Sequence, residues 1–484
     1  MKPAGARWLV TTLLPLVAGC PVGPDYRPPA LPVPGHWKSE RVAGSGLTHD
    51  SSGALHAWWE TFRDPILTRL ITRAESASLD LKSTFARIEQ ARAEYHAEQS
   101  ALYPSVSADA VGARVDNLLP IAVGDRSPPF NYFLSGFDAV WEIDLFGRLT
   151  RRREAAAAQL EAEAENYRQA WVMLSAELAR NYTEFRNLQS QLRIARDANN
   201  SARQTADLTD QLEREGLGTR QDTDRARALT ADTAARIPAL EAQMADAQRR
   251  IEILAGAEPG ALQRDLGPFQ PFPRVPAKAL LATPAESLRA RPDVRAAERR
   301  LAAATATQGA AFAELFPRIS IAAFAGLRNA ELQNLFRSAA FAWAGGGAIT
   351  QPIFNFGRIQ AGIDLADARQ QEAYFGYRQA VLVALHETET ALTLLLKEED
   401  RRQRLAETAE HRGDATRLLE ERFAAGLATR LDVLDARRSL YAARSDLAQA
   451  ESQATVRLIA LYKSLGGGIR SIPPAITPED SPLG

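Results

Sequence analysis

The clearest pattern in the chain is a strict alternation of apolar and polar side chains between Phe133 and Leu145. An extended strand would place Phe133, Phe137, Trp141 and Ile143 on one face and Asp138, Glu142 and Asp144 on the other. Such a strand could cover a soluble core with its acidic face in water. Three further segments of about ten residues, the length that a tilted strand needs to cross a bilayer, are Ser105 to Arg114, Arg318 to Leu327 and Ala340 to Thr350.

The last of these segments favours a membrane interpretation over a soluble one. Ala340 to Thr350 carries Phe341 and Trp343 on one face and mostly glycine and alanine elsewhere, which is too little volume for an ordinary core. Four strands do not close a transmembrane barrel, because the smallest barrels use about eight and an open edge in lipid leaves backbone groups unpaired. We therefore expect the chain to oligomerise, and strand counting leaves both a dimer and a trimer open.

Long stretches without glycine or proline predict long helices. The first runs from Arg151 to Glu215, and a continuous helix of that length would reach roughly 100 Å. Its apolar residues recur at intervals of three and four residues, as in the seam of a coiled coil. Because such a seam must be covered, the helix needs partner helices. Arg220 to Ala255 is also helical in composition, with Pro238 expected to kink it or to end a segment. Tyr377 to Arg412 and Leu427 to Leu465 repeat the pattern, which predicts two long antiparallel hairpins.

The two halves of the chain are copies of one unit. Leu145-Phe146-Gly147-Arg148 recurs 210 residues later as Asn355-Phe356-Gly357-Arg358, and Leu102-Tyr103-Pro104 recurs 213 residues later as Leu315-Phe316-Pro317. A repeat of this size is an architectural unit. We divide the chain into a signal peptide (1–19), a lipidated Pro-rich tether (20–57), a first repeat (58–257), an irregular Pro-rich connector (258–284), a second repeat (285–465) and a C-terminal tail (466–484).

Both hairpin tips read Gly-Leu-x-Thr-Arg-x-Asp. The shared positions are Gly216, Leu217 and Thr219 in the first copy and Gly426, Leu427 and Thr429 in the second. Each threonine suits the N-cap of the returning helix, with Asp222 or Asp432 three residues later in a relation like a capping box. Capping does not explain the common Gly-Leu pair, which indicates a surface for a partner.

The amino terminus has the pattern of a lipoprotein signal. Lys2 and Arg7 flank the start of an apolar run that ends in Val17-Ala18-Gly19-Cys20, a lipobox-like site. Cys20 is the only cysteine, so an intramolecular disulfide is excluded and lipidation of Cys20 is the expected role. The prolines that follow predict an extended tether holding the folded body away from the acyl chains. Pro21 in place of aspartate is compatible with sorting to the outer membrane.

The composition points away from several classes of protein. The chain has 58 basic and 59 acidic residues, which leaves no basic excess for nucleic acid. Its six histidines are scattered without metal-ligand spacing. It has neither a Gly-x-Ser-x-Gly elbow nor a phosphate-binding loop followed by Lys-Ser/Thr. We therefore expect no enzyme activity, no metal and no cofactor, and membrane contact through lipid and strands rather than a transmembrane helix.

Taken together, these segments resemble the TolC-type outer membrane factors, in particular the NodT and OprM-like lipoprotein branch. The resemblance runs nearly end to end and is carried by Cys20-Pro21-Val22-Gly23-Pro24-Asp25-Tyr26-Arg27-Pro28-Pro29, by Trp58-Trp59-Glu60-Thr61-Phe62-Arg63-Asp64-Pro65 and by Arg291-Pro292-Asp293-Val294-Arg295-Ala296-Ala297-Glu298. It implies a mainly α fold with a membrane β-barrel: a homotrimer whose four strands per chain form a twelve-stranded barrel in the outer membrane, continuous with a periplasmic α-helical barrel.

The resemblance also implies a function and partners. It describes a passive exit duct for small molecules such as drugs or toxic compounds, coupled by a periplasmic adaptor protein to an inner-membrane pump, usually of the RND type. The adaptor would meet both hairpin tips. The competing interpretation from the residues alone is a lipid-anchored coiled-coil scaffold or adhesion protein of the envelope, whose strands form a soluble cap.

Finally, the resemblance implies a periplasmic gate. Its acidic rings would be carried by Asp432 and Asp435, which lie one turn apart on one helix face. The residue matching Asp435 in the first copy is Arg225, so an Asp435-Arg225 pair is a candidate closing contact. The chain departs from the family at Phe423 and Ala428, where well-described members have a tyrosine and an arginine that lock the resting state. We expect a different lock, built on Arg430 or Arg220.

Overall fold

The computed structural model describes residues 21–30, 32–39, 47–49, 54–115, 129–273, 275–276 and 279–468. The strands are β1 (Leu47–His49), β2 (Ser105–Val115), β3 (Phe130–Ile143), β4 (Ala279–Leu281), β5 (Arg318–Asn329) and β6 (Phe341–Thr350). The helices are α1 (Pro65–Ala77), α2 (Leu79–Ser100), α3 (Arg148–Arg214), α4 (Arg220–Leu254), α5 (Gln263–Leu266), α6 (Pro284–Ala290), α7 (Pro292–Ala313), α8 (Arg358–Ala424) and α9 (Arg430–Ser464). Among the described helices, none combines the length and apolar character that a membrane span requires.

The predicted strands and long helices are confirmed, with two differences in the helices. Helix α8 extends well beyond Tyr377–Arg412, because Gly376 and Gly413 lie inside it. A single glycine costs a helix only about 1 kcal/mol, which the packing of a long helix can offset. Of the two outcomes expected at Pro238, a kink or the end of a segment, the second does not occur, since α4 continues through it.

The chain divides into two compact units, and neither unit corresponds to one repeat. The first unit comprises the described residues of Met1–Ala30, Arg87–Glu163 and Ala296–Arg378, and contains the sheet of β2, β3, β5 and β6. The second comprises the described residues of Leu31–Ala86, Ala164–Arg295 and Gln379–Gly484, and contains both hairpin tips. Each unit therefore takes segments from both copies of the repeat.

The core of the second unit is built from the motifs that carry the family resemblance. Trp58 and Trp59 are buried and meet at 5.8 Å in a T-shaped contact, and the Trp58 ring lies 5.8 Å from that of Tyr462. Asp64 caps α1 by accepting from the backbone N–H groups of Ile66 and Leu67. Its other carboxylate oxygen accepts a hydrogen bond from the hydroxyl of Tyr182 at 2.7 Å. These motif residues are therefore structural.

Arg291 has a comparable structural role in the second repeat. Its buried guanidinium donates to the carbonyl of Ser464 at 3.0 Å and pairs with the carboxylates of Asp293 and Glu387. Burial of a charge is costly unless it is paired and hydrogen-bonded, and here it is both. The contact ties the start of α7 to the ends of other segments in the second unit.

The connector between the repeats is more regular than expected. It contains α5, and its strand β4 pairs in parallel with β1, with Leu47 opposite Ala279. The segment 20–57 is not a free tether in its described parts either. Trp37 is buried, and its indole N–H donates to the carbonyl of Ala282 at 2.8 Å. Composition reports chain stiffness but not such long-range contacts.

Candidate functional site

The sheet of the first unit is an antiparallel meander in the order β2-β3-β5-β6. Its register places Phe137 opposite Ala108 on one side and Ala325 on the other. Directly opposite residues share a face, so one face can be followed across all four strands. That face is apolar apart from Ser135 along the paired core of the sheet, and includes Val106, Ala110, Phe137, Trp141, Ile321, Ala325, Phe341, Trp343 and Ile349.

This apolar face is exposed. Phe137 is 64% exposed and Trp343 77% exposed, although both belong to a sheet. The opposite face is mixed: it carries Asp109, Asp138, Glu142 and Arg328 together with small residues and with Val111, Leu134, Val140 and Phe324. A sheet with one apolar face and one face that holds all of its acidic residues has the alternation of a strand set that stands between lipid and an aqueous lumen.

The ends of the sheet are open. Strands β2 and β6 are edge strands among the described residues, each with a partner on one side only. An exposed edge presents unpaired N–H and C=O groups, which are a template for pairing with another chain. Within lipid such groups need partners.

The two hairpin tips have the same local geometry. Helix α3 ends with Leu217 N–H donating to the Leu212 carbonyl at 2.8 Å and Gly216 N–H donating to the Glu213 carbonyl at 3.0 Å. This pair of bonds is a Schellman motif, which places Gly216 in the left-handed region at φ +72°. The second tip repeats both bonds from Leu427 and Gly426, with Gly426 at φ +74°.

The start of each returning helix is capped as the sequence predicts. The Thr219 side chain accepts from the Asp222 N–H, and the Thr429 side chain accepts from the Asp432 N–H. Only the second tip completes the capping box, since Asp432 also accepts from the Thr429 N–H at 2.8 Å. The hydrogen bonds from the Thr429 side chain and backbone hold the pKa of the Asp432 carboxyl below its ordinary value.

The two tip leucines point away from the protein. Leu217 is 74% exposed and Leu427 is 69% exposed, whereas residues a turn into the following helix, Val433 and Leu434, are buried. The turn is closed by backbone bonds and does not use these side chains as packing. Two equivalent exposed leucines on two equivalent tips remain without a role inside the described chain.

Two of the proposed gate residues, Asp432 and Asp435, lie close behind the second tip, and Arg225 lies close behind the first. Asp432 and Asp435 are both exposed on α9, and Arg225 is exposed on α4. Within the described part of the chain Asp435 pairs with Arg438 at 2.6 Å rather than with Arg225. Arg430 lies over the ring of Phe423, with its guanidinium carbon 5.6 Å from the ring centroid. Arg220 has a weak contact with Asp224 at 3.8 Å.

One structured site was missed by sequence reasoning. Arg151, in the first turns of α3, is buried and binds the segment that follows Cys20. Its guanidinium pairs with Asp25 at 2.7 Å and donates to the Val22 carbonyl at 3.3 Å. Val22 N–H also donates to the Phe146 carbonyl at 3.1 Å. No local pattern signals this contact, because it joins residues more than a hundred positions apart. Cys20 itself and the signal peptide lie outside the described residues.

An open sheet with an exposed apolar face, in the same chain as long capped hairpins, is typical of a membrane protein with a large helical portion. Comparison with known proteins agrees. The model of the outer membrane efflux protein family matches residues 70–257 and 283–467. The chain belongs to this family. It is the outer membrane channel component of a tripartite efflux or secretion system, with a large helical portion in the periplasm.

Individual relatives match along almost the whole chain. The outer membrane protein OprJ of Pseudomonas aeruginosa is 30% identical over 96% of this chain and 96% of its own length. The cation efflux system protein CusC of Escherichia coli K12 is 29% identical over 93% of this chain and 97% of its own. The solved structure of the outer-membrane channel OprN has a TM-score of 0.84 and 36% identity, and covers 93% of this chain and 99% of its own.

These matches favour the channel over the envelope scaffold that the residues left open. The family consists of channel proteins.

Proposed function

We propose that three copies of this chain form a passive exit duct, in which the four-stranded sheets close a twelve-stranded barrel and the helices form a periplasmic conduit. The observation that carries the proposal is the sheet with two open edges and one exposed apolar face. Strands β2 and β6 run in opposite directions, so β6 of one copy can pair in antiparallel fashion with β2 of the next. The trimer, its partners and its cargo are inferences from this geometry and from the family.

The cargo we propose is small molecules rather than proteins. Relatives include a toluene efflux pump outer membrane protein, a cation efflux protein and a pyoverdine export outer membrane protein. Among the described residues, no group of three or more His, Cys, Asp or Glu side chains is placed to hold a metal ion. The duct therefore needs no chemistry of its own toward the cargo, and selection falls to an inner-membrane pump, which we propose is of the RND type.

The partner surface we propose is the pair of tips, where a periplasmic adaptor would contact Gly216, Leu217 and Thr219 and their equivalents Gly426, Leu427 and Thr429. The exposure of both leucines supports this assignment. An exposed apolar side chain that the fold does not use is a natural anchor for a partner helix.

The tip proposal is tested with Leu217→Asp and Leu427→Asp in cells that depend on this channel for export. Each variant should lose export while the trimer still forms, because the side chains do not contribute to the turn. Leu79→Asp is a matched control, since Leu79 is also 74% exposed but lies at the start of α2. Loss of the trimer in the tip variants, or equal loss of export in the control, would contradict the assignment.

The channel function itself is tested in planar bilayers. Purified protein should insert as a heat-modifiable trimer and give discrete conductance steps. An envelope scaffold would give monomers that stay soluble once Cys20 is replaced by serine, and no conductance.

A further inference from the structure

The strand register is the same in both copies of the repeat. In the first copy β2 pairs with β3 so that Ser105 lies opposite Val140. Moving both residues by their repeat offsets gives Arg318 and Thr350, which is the observed pairing of β5 with β6. Side-chain contacts follow the same rule. The Trp141 indole donates to the Leu102 carbonyl at 3.0 Å, and the equivalent Gln351 donates to the Leu315 carbonyl at 3.0 Å.

The junction between the two copies lies where β3 pairs with β5. Below the paired strands, the ring of Phe146 stacks on that of Phe316 with 4.8 Å between centroids and 22° between planes. Phe146 is half-buried in this arrangement. The strand pairing and the ring pair together make one joint between repeats.

The residues equivalent to Phe146 and Phe316 lie beside the two opposite edges of the sheet, where they are not paired with each other. Phe356 is the repeat counterpart of Phe146, and it follows the edge strand β6. Tyr103 is the counterpart of Phe316, and it precedes the edge strand β2. Phe356 is 90% exposed and Tyr103 is 64% exposed, whereas Phe146 is half-buried.

The backbone around Phe356 also differs from that of its counterpart. Phe356 has φ +51°, a left-handed conformation that residues with a side chain rarely adopt. The centroid of its ring lies 4.5 Å from that of Phe354. Phe146, by contrast, contacts an aromatic residue across the strand junction. A Cβ added at Gly357 would meet no described atom within 4 Å, whereas at Gly147 it would collide with Pro21. The loop after β6 is therefore uncovered in the single chain.

We propose that the joint between copies of this chain reproduces the joint between its repeats. The edge strand β6 pairs with β2 of a second copy, with Ile349 opposite Ala110 and Gly347 opposite Gly112 of that copy, and Phe356 stacks on its Tyr103. These pairs follow from the repeat offsets applied to the observed β3–β5 register. The assignment rests on the proposed oligomeric barrel and adds to it the register and the aromatic contact.

The faces agree with this register. Ile349 and Ala110 both lie on the apolar face of the sheet, as do Gly347 and Gly112. A shift of one residue would place the apolar face of one copy beside the polar face of the next. The competing occupant of the loop is lipid, which would cover Phe356 without any relation to Tyr103.

Cysteine cross-linking in the outer membrane tests the register. Opposite residues in an antiparallel pair have Cα atoms about 4.5 to 5.5 Å apart, within disulfide range, whereas diagonal neighbours are about 7 to 8 Å apart. Mild oxidation of the Ile349→Cys, Ala110→Cys variant should therefore yield covalent oligomers. The shifted pairs Ile349→Cys with Ala108→Cys or with Gly112→Cys should yield much less, and the single variants control for Cys20.

The outcomes separate the two levels of the proposal. A trimer by native mass spectrometry with strongest cross-linking in a shifted pair would overturn the register and leave the channel intact. A protein that is monomeric in detergent and cross-links in no pair would overturn the oligomeric channel as well.

Ring substitutions test the stack independently. Phe356→Ala and Tyr103→Ala should each speed release of monomer from the trimer, and the double variant should be no faster than either single one. Coupling of a ring pair corresponds to roughly two- to tenfold in such a rate. Phe354→Ala is the control, since its counterpart Asp144 takes no part in the internal stack, and it should not couple to Tyr103→Ala. Additive effects of Phe356→Ala and Tyr103→Ala would overturn the stack and assign Phe356 to lipid.

Discussion

At the scale of single residues, Arg151 shows how one side chain can position a whole segment. It is buried, yet it reaches Asp25, Glu154 and the Val22 carbonyl. Gly23 packs so closely on Gly309 that an added Cβ would clash with backbone. The residues just after Cys20 are therefore fixed beside Phe146, at the end of β3.

Arg151→Ala should release the segment 21–27. Losing hydrogen bonds from a buried charged group costs about 1–3 kcal/mol, and hydrogen exchange of these amides should rise accordingly. Asp25→Asn should have a much smaller effect, because the Asp25 side chain is 79% exposed. The hydrogen bond and charge of Arg151 lower the pKa of Asp25, so the pair contributes above the ordinary aspartate pKa and is lost as pH falls through the lowered one. Unchanged exchange in Arg151→Ala would contradict this role.

Asp432 and Asp435, the acidic pair behind the second tip, are the second group of single residues with a predicted role. We propose that Asp432 and Asp435 of three copies line a cation-selective constriction, since rings of carboxylates favour cations in a narrow pore. The Asp432→Ala, Asp435→Ala double variant should lose cation selectivity and cation block in planar bilayers. Arg225→Ala tests the proposed closing contact with Asp435 and should raise the resting conductance. Unchanged block and selectivity would place the constriction elsewhere.

Among the elements, the two hairpins depend on the backbone conformation of a few residues. Each long helix must stop and reverse at its tip, and a glycine in the left-handed region does this at Gly216 and Gly426. Inside a helix the same residue type has no such role. Gly413 has ordinary space around it in the middle of α8, where an added Cβ would meet only a Leu440 methyl carbon at 4.0 Å.

Two glycine-to-alanine substitutions should therefore have opposite effects on the second hairpin. Gly426→Ala should destabilise the tip by about 1–2 kcal/mol, the cost of a left-handed conformation for an L-residue. Gly413→Ala should stabilise the helix by about 0.5–1 kcal/mol, because alanine loses less chain entropy. Hydrogen exchange of tip and mid-helix amides measures both, and an effect of the same sign in both variants would contradict the explanation.

At the scale of the whole molecule, the duplication organises both fold and assembly. Each compact unit is assembled from both repeats, so neither repeat is a domain by itself. The two edge strands of the sheet, β2 and β6, are the repeat counterparts of the strands that pair at the internal joint. In the assembly that we propose, both edges would be paired with neighbouring copies. Membrane attachment then has two sources, the strands and the lipid that we expect on Cys20.

Lipidation is tested with a fatty-acid analogue, which should label the wild type and leave Cys20→Ser unlabelled. Insertion should survive the substitution, because one lipid chain gives only marginal membrane binding, whereas a closed barrel buries the apolar face of every strand. Equal labelling of both proteins would exclude Cys20 as the modified residue. Loss of trimers in Cys20→Ser would show that the anchor is needed for insertion.

The sequence by itself determined the elements. Strict alternation marked β3, and the absence of glycine and proline marked α3, because side-chain period and backbone propensity are local properties. The capping of α9 by Thr429 and Asp432 was equally readable, since its hydrogen bonds span three residues. The repeat predicted that a helical stretch, two strands and a long helical hairpin would occur twice, and the motifs around Trp58 and Arg291 indicated the family.

Only the tertiary structure decided how distant segments meet. The docking of residues 21–30 on Arg151, the pairing of β1 with β4 and the continuation of α4 through Pro238 all depend on contacts that no local pattern encodes. Exposure was also invisible in the sequence. Phe356 looks like an ordinary apolar residue in the sequence, and only the folded chain leaves it uncovered, because burial depends on which other surfaces the fold brings near.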